Sequence, residues 1–276
     1  MDLESTVAQH YARESLEHTI LAALAVMGKD VEHLAPEDLA PVDEFHIGGR
    51  AATRDLADAM RLAPGMALLD IGCGLGGAAR FFAGERGCRV TGLDLTEDYV
   101  RCATALARRV GLGGQTAFHQ GSALDLPFAE ASFDAATLLH VGMNIADKAR
   151  LFAEARRVLR PSGVFGLYDV MREGEGDLAF PVPWAEGAAT SFVEGADTYR
   201  RLLEAAGFAV EAVRSRRAFA IAFFQRMRVA AADAGGPSPL GLHLLMGETA
   251  PLKARAMIGN LEAGLIAPTE IIARAV

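Results

Sequence analysis

The stretch Asp70-Ile-Gly72-Cys-Gly74-Leu-Gly76-Gly77 sets a carboxylate beside four glycines. A backbone stripped of Cβ atoms lets a ligand approach where any side chain would clash. About twenty residues beyond Gly74, a second carboxylate stands in Gly92-Leu-Asp94-Leu. At that spacing Asp94 is placed to accept hydrogen bonds from both hydroxyls of a ribose. The chemistry on offer is therefore capture of a nucleoside. Gly72-x-Gly74-x-x-Gly77 also satisfies the NAD fingerprint, which by itself is weak. Asp70 adds something else, because just ahead of the loop it can engage the loop itself or a ligand's ammonium group.

Those residues need a strand to present them and a helix to receive them. Met66–Ile71 is a short apolar run that reads as a buried strand, and Gly77–Arg86 reads as a helix. Arg89–Asp94, Thr116–Gln120, Phe133–His140 and Val164–Val170 read as further strands. Glu97–Val110 and Asp147–Leu159 read as helices between them, the latter stopped by Pro161-Ser-Gly163. Strands separated by helical patterns predict a parallel, doubly wound sheet. Ahead of it, about sixty residues are helical in pattern, with Tyr11, Leu16, Ile20, Leu21, Leu24 and Ala25 at helical spacing and Gly28 as a stop. A proline-bounded stretch (Pro36 to Pro41) and the unusual Asp43-Glu-Phe-His-Ile-Gly-Gly-Arg50 follow, and a helix runs from about Ala51 to Leu62. After the fifth strand, the segment through Pro181-Val-Pro-Trp184 is too long and punctuated for a simple crossover and reads as a lid. Ala196–Ala206 is a helix closed by Gly207, Phe208–Ser215 a strand, and Thr269–Ala275 a final strand after helices to about Gly264. Phe219, Phe223 and Met227, four apart on one helical face, read as packing.

Asp70 to Gly76 resembles motif I of the class I S-adenosylmethionine-dependent methyltransferases, and Gly92-Leu-Asp94 resembles their strand-two acidic motif. Gly121-Ser-Ala-Leu-Asp-Leu-Pro-Phe128 with Ser132-Phe-Asp134 resembles the adenine-side motif, and Glu154 to Gly163 the helix and turn before strand five. Four such stretches in order span roughly Met66 to Val170. Phe45-His-Ile-Gly-Gly-Arg50 and Met143-Asn-Ile-Ala-Asp-Lys148 are similar to the branch of glycine, sarcosine and dimethylglycine N-methyltransferases and sterol- and ubiquinone-type enzymes. Two positions depart from the pattern: Ser122 stands where many relatives carry Asp, and Ser162 replaces a turn glycine.

The resemblance implies a Rossmann-like α/β fold. Its doubly wound, seven-stranded sheet is mostly parallel with the last strand antiparallel, with a helical cap at residues 1–62 ahead of a methyltransferase domain at 63–276. Within that domain, 171–195 and 217–264 are cap or lid insertions, the second a helical one before the last strand. It implies in-line transfer of a methyl group from S-adenosyl-L-methionine to an N, O or C nucleophile on a small molecule. Gly72, Gly74 and Gly76 then pass under the methionine and ribose, Asp70 faces the amino-acid end and Asp94 the ribose. Ser122 and Ala123 border the adenine, and Leu95 packs on its face. His140, at the carboxyl end of strand four, is expected to border the cofactor and act as a base or orienting group. His46 and Tyr11 are the other catalytic candidates. Tyr11, Phe45, Asn144, Trp184 and Phe192 are candidates to wall the substrate. Two readings stay beside this one: an NAD-dependent oxidoreductase using the same glycines, and a non-catalytic S-adenosylmethionine-binding protein.

Composition removes several classes. With 276 residues and 51% hydrophobic side chains, a single packed unit with a small cap is expected rather than disorder. The net charge of −8, with scattered arginines, offers nucleic acid no basic face. The longest apolar run, Ala218–Phe224, is far short of a membrane span. An acidic start without an apolar h-region, and an odd count of three cysteines, point to the cytoplasm. Histidines and cysteines lack ligand spacing, so no metal site is expected. A homodimer stays open.

Overall fold

The computed structural model describes residues 3–11, 16–233 and 238–276. Met1 and Asp2, part of the acidic start noted above, lie outside the described residues.

Helices α1 (Leu3–Tyr11), α2 (Leu16–Val26), α3 (Pro36–Asp43) and α4 (Arg50–Met60) precede the first strand. Gly28, at φ +76°, closes the turn after α2. The proline-bounded stretch is itself the helix α3. Pro36 sits in its first turn, where a missing N–H costs nothing, and the Asp38 carboxylate accepts from the Ala35 N–H at 2.9 Å.

Strand and helix then alternate through β1 (Ala67–Ile71), α5 (Gly77–Arg86), β2 (Arg89–Asp94), α6 (Glu97–Arg109), β3 (Thr116–Gln120), β4 (Phe133–Leu139), α7 (Lys148–Val158) and β5 (Leu159–Arg172). The chain ends through α8 (Ala196–Ala205), β6 (Phe208–Ser215), α9 (Arg217–Asp233), α10 (His243–Met246), α11 (Ala250–Glu262) and β7 (Ile266–Ala275). The described residues form one seven-stranded sheet in the order β3-β2-β1-β4-β5-β7-β6. β1 to β5 pair in parallel, and β7 runs antiparallel between β5 and β6. The class and the reversed last strand are as expected from sequence. β5 and β7 are longer than expected because they pair continuously from Val164↔Arg274 to Arg172↔Ile266, which extends both past their apolar centres. Ser162 occupies a left-handed conformation (φ +63°), the kind of position that favours the glycine it replaces.

The central strands are apolar on both faces because helices cover both. Leu69, Ile71, Leu138 and Phe165 point into a layer with Leu151 and Phe152 of α7 and Tyr199 and Leu203 of α8. Leu68, Val90, Ala135 and Tyr168 point the other way, onto Leu56 and Met60 of α4 and Phe81 and Phe82 of α5. A third cluster joins Ile20 and Leu24 of α2 and Leu39 of α3 to Cys102 and Leu106 of α6, with Leu245 of α10. Strand order reverses between β1 and β4, and at such a switch point the carboxyl ends of the strands open a crevice. None of the described helices is long and apolar enough to cross a membrane.

Candidate functional site

That crevice leads into a cavity of about 1470 Å³. Its floor is the set of loops leaving β1, β2 and β4, and its far wall comes from α1, the lid segment and the helices before β7.

At the floor, glycine is required for two different reasons. Gly72 (φ +73°) lies so close to β4's exit that a Cβ there would stand 2.3 Å from Val141 Cγ2. Gly74 (φ +54°) has nothing within 4 Å of where its Cβ would be, and it lines the cavity. The first glycine lets two loops meet, and the second keeps the space above the loop clear.

Asp94 is fixed at the end of β2 by two backbone donors. Oδ2 accepts from Gly74 N and Oδ1 from Thr96 N, each at 2.9 Å. Burial raises its pKa while these N–H groups oppose the shift. Asp70 Oδ1 accepts from Thr137 Oγ1 at 2.8 Å, whereas Oδ2 is buried without a partner among the described residues. Burial pushes the Asp70 carboxyl up to about 7. A buried carboxylate with one bare oxygen at a cavity wall calls for a cation from elsewhere. The amino group of S-adenosylmethionine fits that need, and Asp94 and Gly74 fit its sugar. The residues present therefore suit this group.

Beside them stands an aromatic cluster. His140 has left-handed backbone (φ +54°), uncommon for a residue with a side chain, and its N–H donates to Tyr168 O at 2.7 Å. Its ring stacks on Tyr168 with centroids 5.3 Å apart, and its Nε2 is buried without a partner among the described residues. The His46 ring lies 6.0 Å from it. His46 Nε2 is 3.2 Å from Gly49 O and 3.0 Å from Thr53 Oγ1, whose hydroxyl donates to Glu44 Oε2 at 2.7 Å. Gly49 O can only accept, which puts the proton on Nε2 and leaves Nδ1 as the basic nitrogen. Burial lowers His46 to about 4 and His140 well below its ordinary range, so both rings are neutral near pH 7. Burial raises Glu44 to about 8, so it is uncharged there.

On the opposite wall, Tyr11 OH donates to Asn144 Oδ1 at 3.3 Å, and Tyr11 meets Phe45 edge to face at 6.3 Å. Trp184 is buried, donates Nε1–H to Ser191 Oγ at 2.9 Å and lines the cavity.

The structure thus gathers Asp70, Gly72, Gly74, Asp94, Leu95, Ala123, His140, His46, Tyr11, Phe45, Asn144 and Trp184 around one space. Three expected residues lie elsewhere. The Ser122 hydroxyl is committed to Glu4 Oε1 and to the Leu124 N–H (3.0 Å), so only its neighbours Gly121, Ala123 and Leu124 face the cavity. Gly76 caps α5 and is crowded instead by the Phe118 ring, which would lie 2.8 Å from any Cβ placed there. Phe192 is drawn off by its backbone, its N–H donating to Met143 O at 2.8 Å and its carbonyl accepting from Lys148 Nζ at 2.5 Å.

Two side chains of the expected lid insertion differ from their sequence reading. Phe223 and Met227, read as packing, line the cavity, with Met227 48% exposed, while Phe219 does pack on the sheet's core. Their four-residue spacing was the available signal. Also missed was Asp43, whose carboxylate pairs with Arg80 of α5 with both side chains buried. A Cβ on Gly77 would lie 2.3 Å from Asp43 O, so α3 fills the start of α5. A dinucleotide's pyrophosphate binds at that helix end in NAD-type folds. Here it would meet a buried carboxylate.

Residues 69–167 match the family model described as a methyltransferase domain. A sterol 24-C-methyltransferase (ERG6B) of Gibberella zeae is 39% identical over 114 residues, covering 41% of this chain and 30% of that protein. The chain spans about a third of the length of the curated sterol relatives it matches. Among solved structures, the geranyl diphosphate C-methyltransferase of Streptomyces coelicolor A3(2) superimposes with a TM-score of 0.71 at 18% identity, covering 100% of this chain and 98% of that one. The [4+2]-cyclase SpnF gives 0.67 at 23% identity, covering 94% of each. The fold is that of the class I S-adenosylmethionine-dependent methyltransferases.

Proposed function

We propose that this chain, a class I methyltransferase fold whose residues 69–167 match a methyltransferase domain, moves a methyl group from S-adenosylmethionine to a small molecule. The observation that carries the reading is the unpartnered Asp70 Oδ2 beside the open Gly74 loop and the anchored Asp94. When bound, S-adenosylmethionine supplies an electrophilic methyl group on a sulfonium.

The chain's own residues bind, orient and exclude water. Asp70 pairs with the amino group, Asp94 holds the ribose hydroxyls, and Leu95 with Ala123 borders the adenine. His140 and His46, neutral near pH 7 and made weak bases by burial, orient the acceptor by a hydrogen bond. Tyr11, held to Asn144, closes the space from α1. Residues 1–62, 171–195 and 217–264 act as the cap, since Tyr11, Phe45, Trp184 and Phe223 reach the cavity from them. Acceptors are N, O or C nucleophiles on small molecules rather than nucleic acid, for which a net charge of −8 is unsuited. Three free, buried thiols suit the cytoplasm.

The NAD-dependent alternative is disfavoured by the antiparallel β7 and by Asp43 at the start of α5. Titration calorimetry separates the two. S-adenosylhomocysteine should saturate one site, and Asp94→Ala should weaken it by about 1–3 kcal/mol, as for loss of a charge-assisted hydrogen bond. NAD⁺ binding in its place, or an Asp94→Ala affinity equal to wild type, would overturn the assignment. Release of S-adenosylhomocysteine from S-adenosylmethionine in the presence of acceptor separates an enzyme from a protein that only holds the nucleoside.

A further inference from the structure

The cavity is larger than one cofactor needs. At about 1470 Å³ it exceeds the range of roughly 300–1,000 Å³ that holds a single drug-sized ligand. Away from the Asp70–Asp94 end its wall includes Phe223 and Met227 of α9, Leu245 of α10, Met257 and Ile258 of α11, and Trp184. All six are apolar over the surface they offer, and the one polar atom of the Trp184 side chain is already bonded to Ser191.

The carboxylates beyond the cofactor end are committed elsewhere. Among the described lining residues the carboxylates beyond the cofactor end are Glu4, Glu37, Asp43, Glu44 and Asp147. Glu4 holds Ser122, Glu37 pairs with Arg50 at 2.7 Å, and Asp43 pairs with Arg80. Glu44 accepts from Thr53, and Asp147 caps α7 through the Arg150 N–H at 2.9 Å. Arg50 and Arg228 are the basic side chains on the wall; Arg50 is shared between Glu37 and Glu85, which leaves Arg228, exposed on α9, as a single cation. A diphosphate needs several free cations or a metal, and no metal-holding group of His, Cys, Asp or Glu occurs among the described residues. A small amino acid needs a free carboxylate and a free cation close together. Burying an unpaired charge against this wall would cost several kcal/mol.

We infer that the acceptor is an uncharged, lipophilic molecule large enough to span from His140 to the α9–α11 wall, and not an anion or a small zwitterion. The assignment rests on the proposed cofactor site occupying the polar end. It names the occupant of the other end.

Trp184 is the single tryptophan and lines the space, so its emission reports occupancy directly. The uncharged dye Nile red is titrated into the protein with and without saturating S-adenosylhomocysteine, then displaced by farnesol, geranyl diphosphate or sarcosine. Saturable dye binding that quenches Trp184 is expected, displaced by farnesol at micromolar concentration and by the two charged compounds only at about hundredfold higher levels. Phe223→Asp and Ile258→Asp, on separate helices, should each weaken the dye about tenfold or more, with S-adenosylhomocysteine affinity serving as the check on folding. Geranyl diphosphate or sarcosine binding more tightly than farnesol overturns the inference, as does dye binding that neither variant weakens or no dye binding at all. Absence of S-adenosylhomocysteine binding would instead sink the cofactor reading, and the dye arm without it still decides the acceptor class.

Discussion

The two ends of the cavity are built on different principles. The Asp70–Asp94 end is made of strand exits, and its two carboxylates are fixed by short hydrogen bonds: Gly74 N and Thr96 N hold Asp94, and Thr137 holds Asp70. The far end is made of helix faces whose side chains meet only because α1, α9, α10 and α11 fold over the sheet. Polar precision at one end suits a ligand that never changes, while an apolar wall on helices adapts to whatever acceptor is used. On the proposed reading, cofactor and acceptor are recognised by separable parts.

Substitutions can break that comparison at its strongest point first. Arg80 locks α3 onto α5 beneath the polar end through a buried pair with Asp43. Arg80→Met leaves Asp43 buried and alone, and chemical denaturation should show a loss of about 3–5 kcal/mol. A loss under about 1 kcal/mol, within the range of an exposed pair, would mean that this end is not rigidly built. His140→Ala should slow turnover about tenfold, as for a lost orienting hydrogen bond of about 1 kcal/mol, with S-adenosylhomocysteine affinity little changed. Turnover equal to wild type would make His140 a packing residue.

Asp70 offers a finer test. Its buried carboxyl titrates at about 7, above the ordinary 3.8, so below that pH it is neutral in the free protein. Affinity for S-adenosylhomocysteine should therefore rise between about pH 5.5 and 7.5, by up to about tenfold per unit below the midpoint. Asp70→Asn should bind weakly at every pH and lose that slope. A wild-type affinity flat with pH would remove Asp70 from the amino-group role. Glu44 supplies a test by stability, held at about 8 against an ordinary 4.5. The folded state keeps a proton that the unfolded chain gives up, so this group's contribution is full below about pH 4.5 and is lost as pH rises through 8. The melting temperature of Glu44→Gln relative to wild type should climb across about pH 5–8. A constant difference would mean that Glu44 is ionised throughout.

How much of this was legible in the sequence follows the same division. The polar end lies in short contiguous stretches whose spacing is set by one strand–loop–helix unit, so Asp70, Gly72, Gly74 and Asp94 could be named from order alone. The parallel strands were legible because apolar runs and glycine stops alternate, whereas the reversed last strand followed only from the family resemblance. Ser122 misled because its hydroxyl is turned aside to donate to Glu4 of α1, 118 residues away in sequence. Phe192 misled because an aromatic in a lid segment says nothing of which way its backbone is tied. The α9 wall was visible as an i, i+4 stripe, yet periodicity shows that a face is apolar without showing whether protein or a cavity lies against it. Asp43 and Arg80 carry no local pattern linking them, and only the packing of α3 on α5 brings them together.

The central claim, that one fixed carboxylate at the end of β2 holds the sugar of S-adenosylmethionine, is tested most directly by a crystal structure of the complex with S-adenosylhomocysteine. The account predicts both ribose hydroxyls within about 3 Å of the Asp94 carboxylate oxygens, and the amino group against Asp70 Oδ2. A sugar seated away from Asp94, or a nucleoside bound outside the β1–β4 crevice, would contradict it.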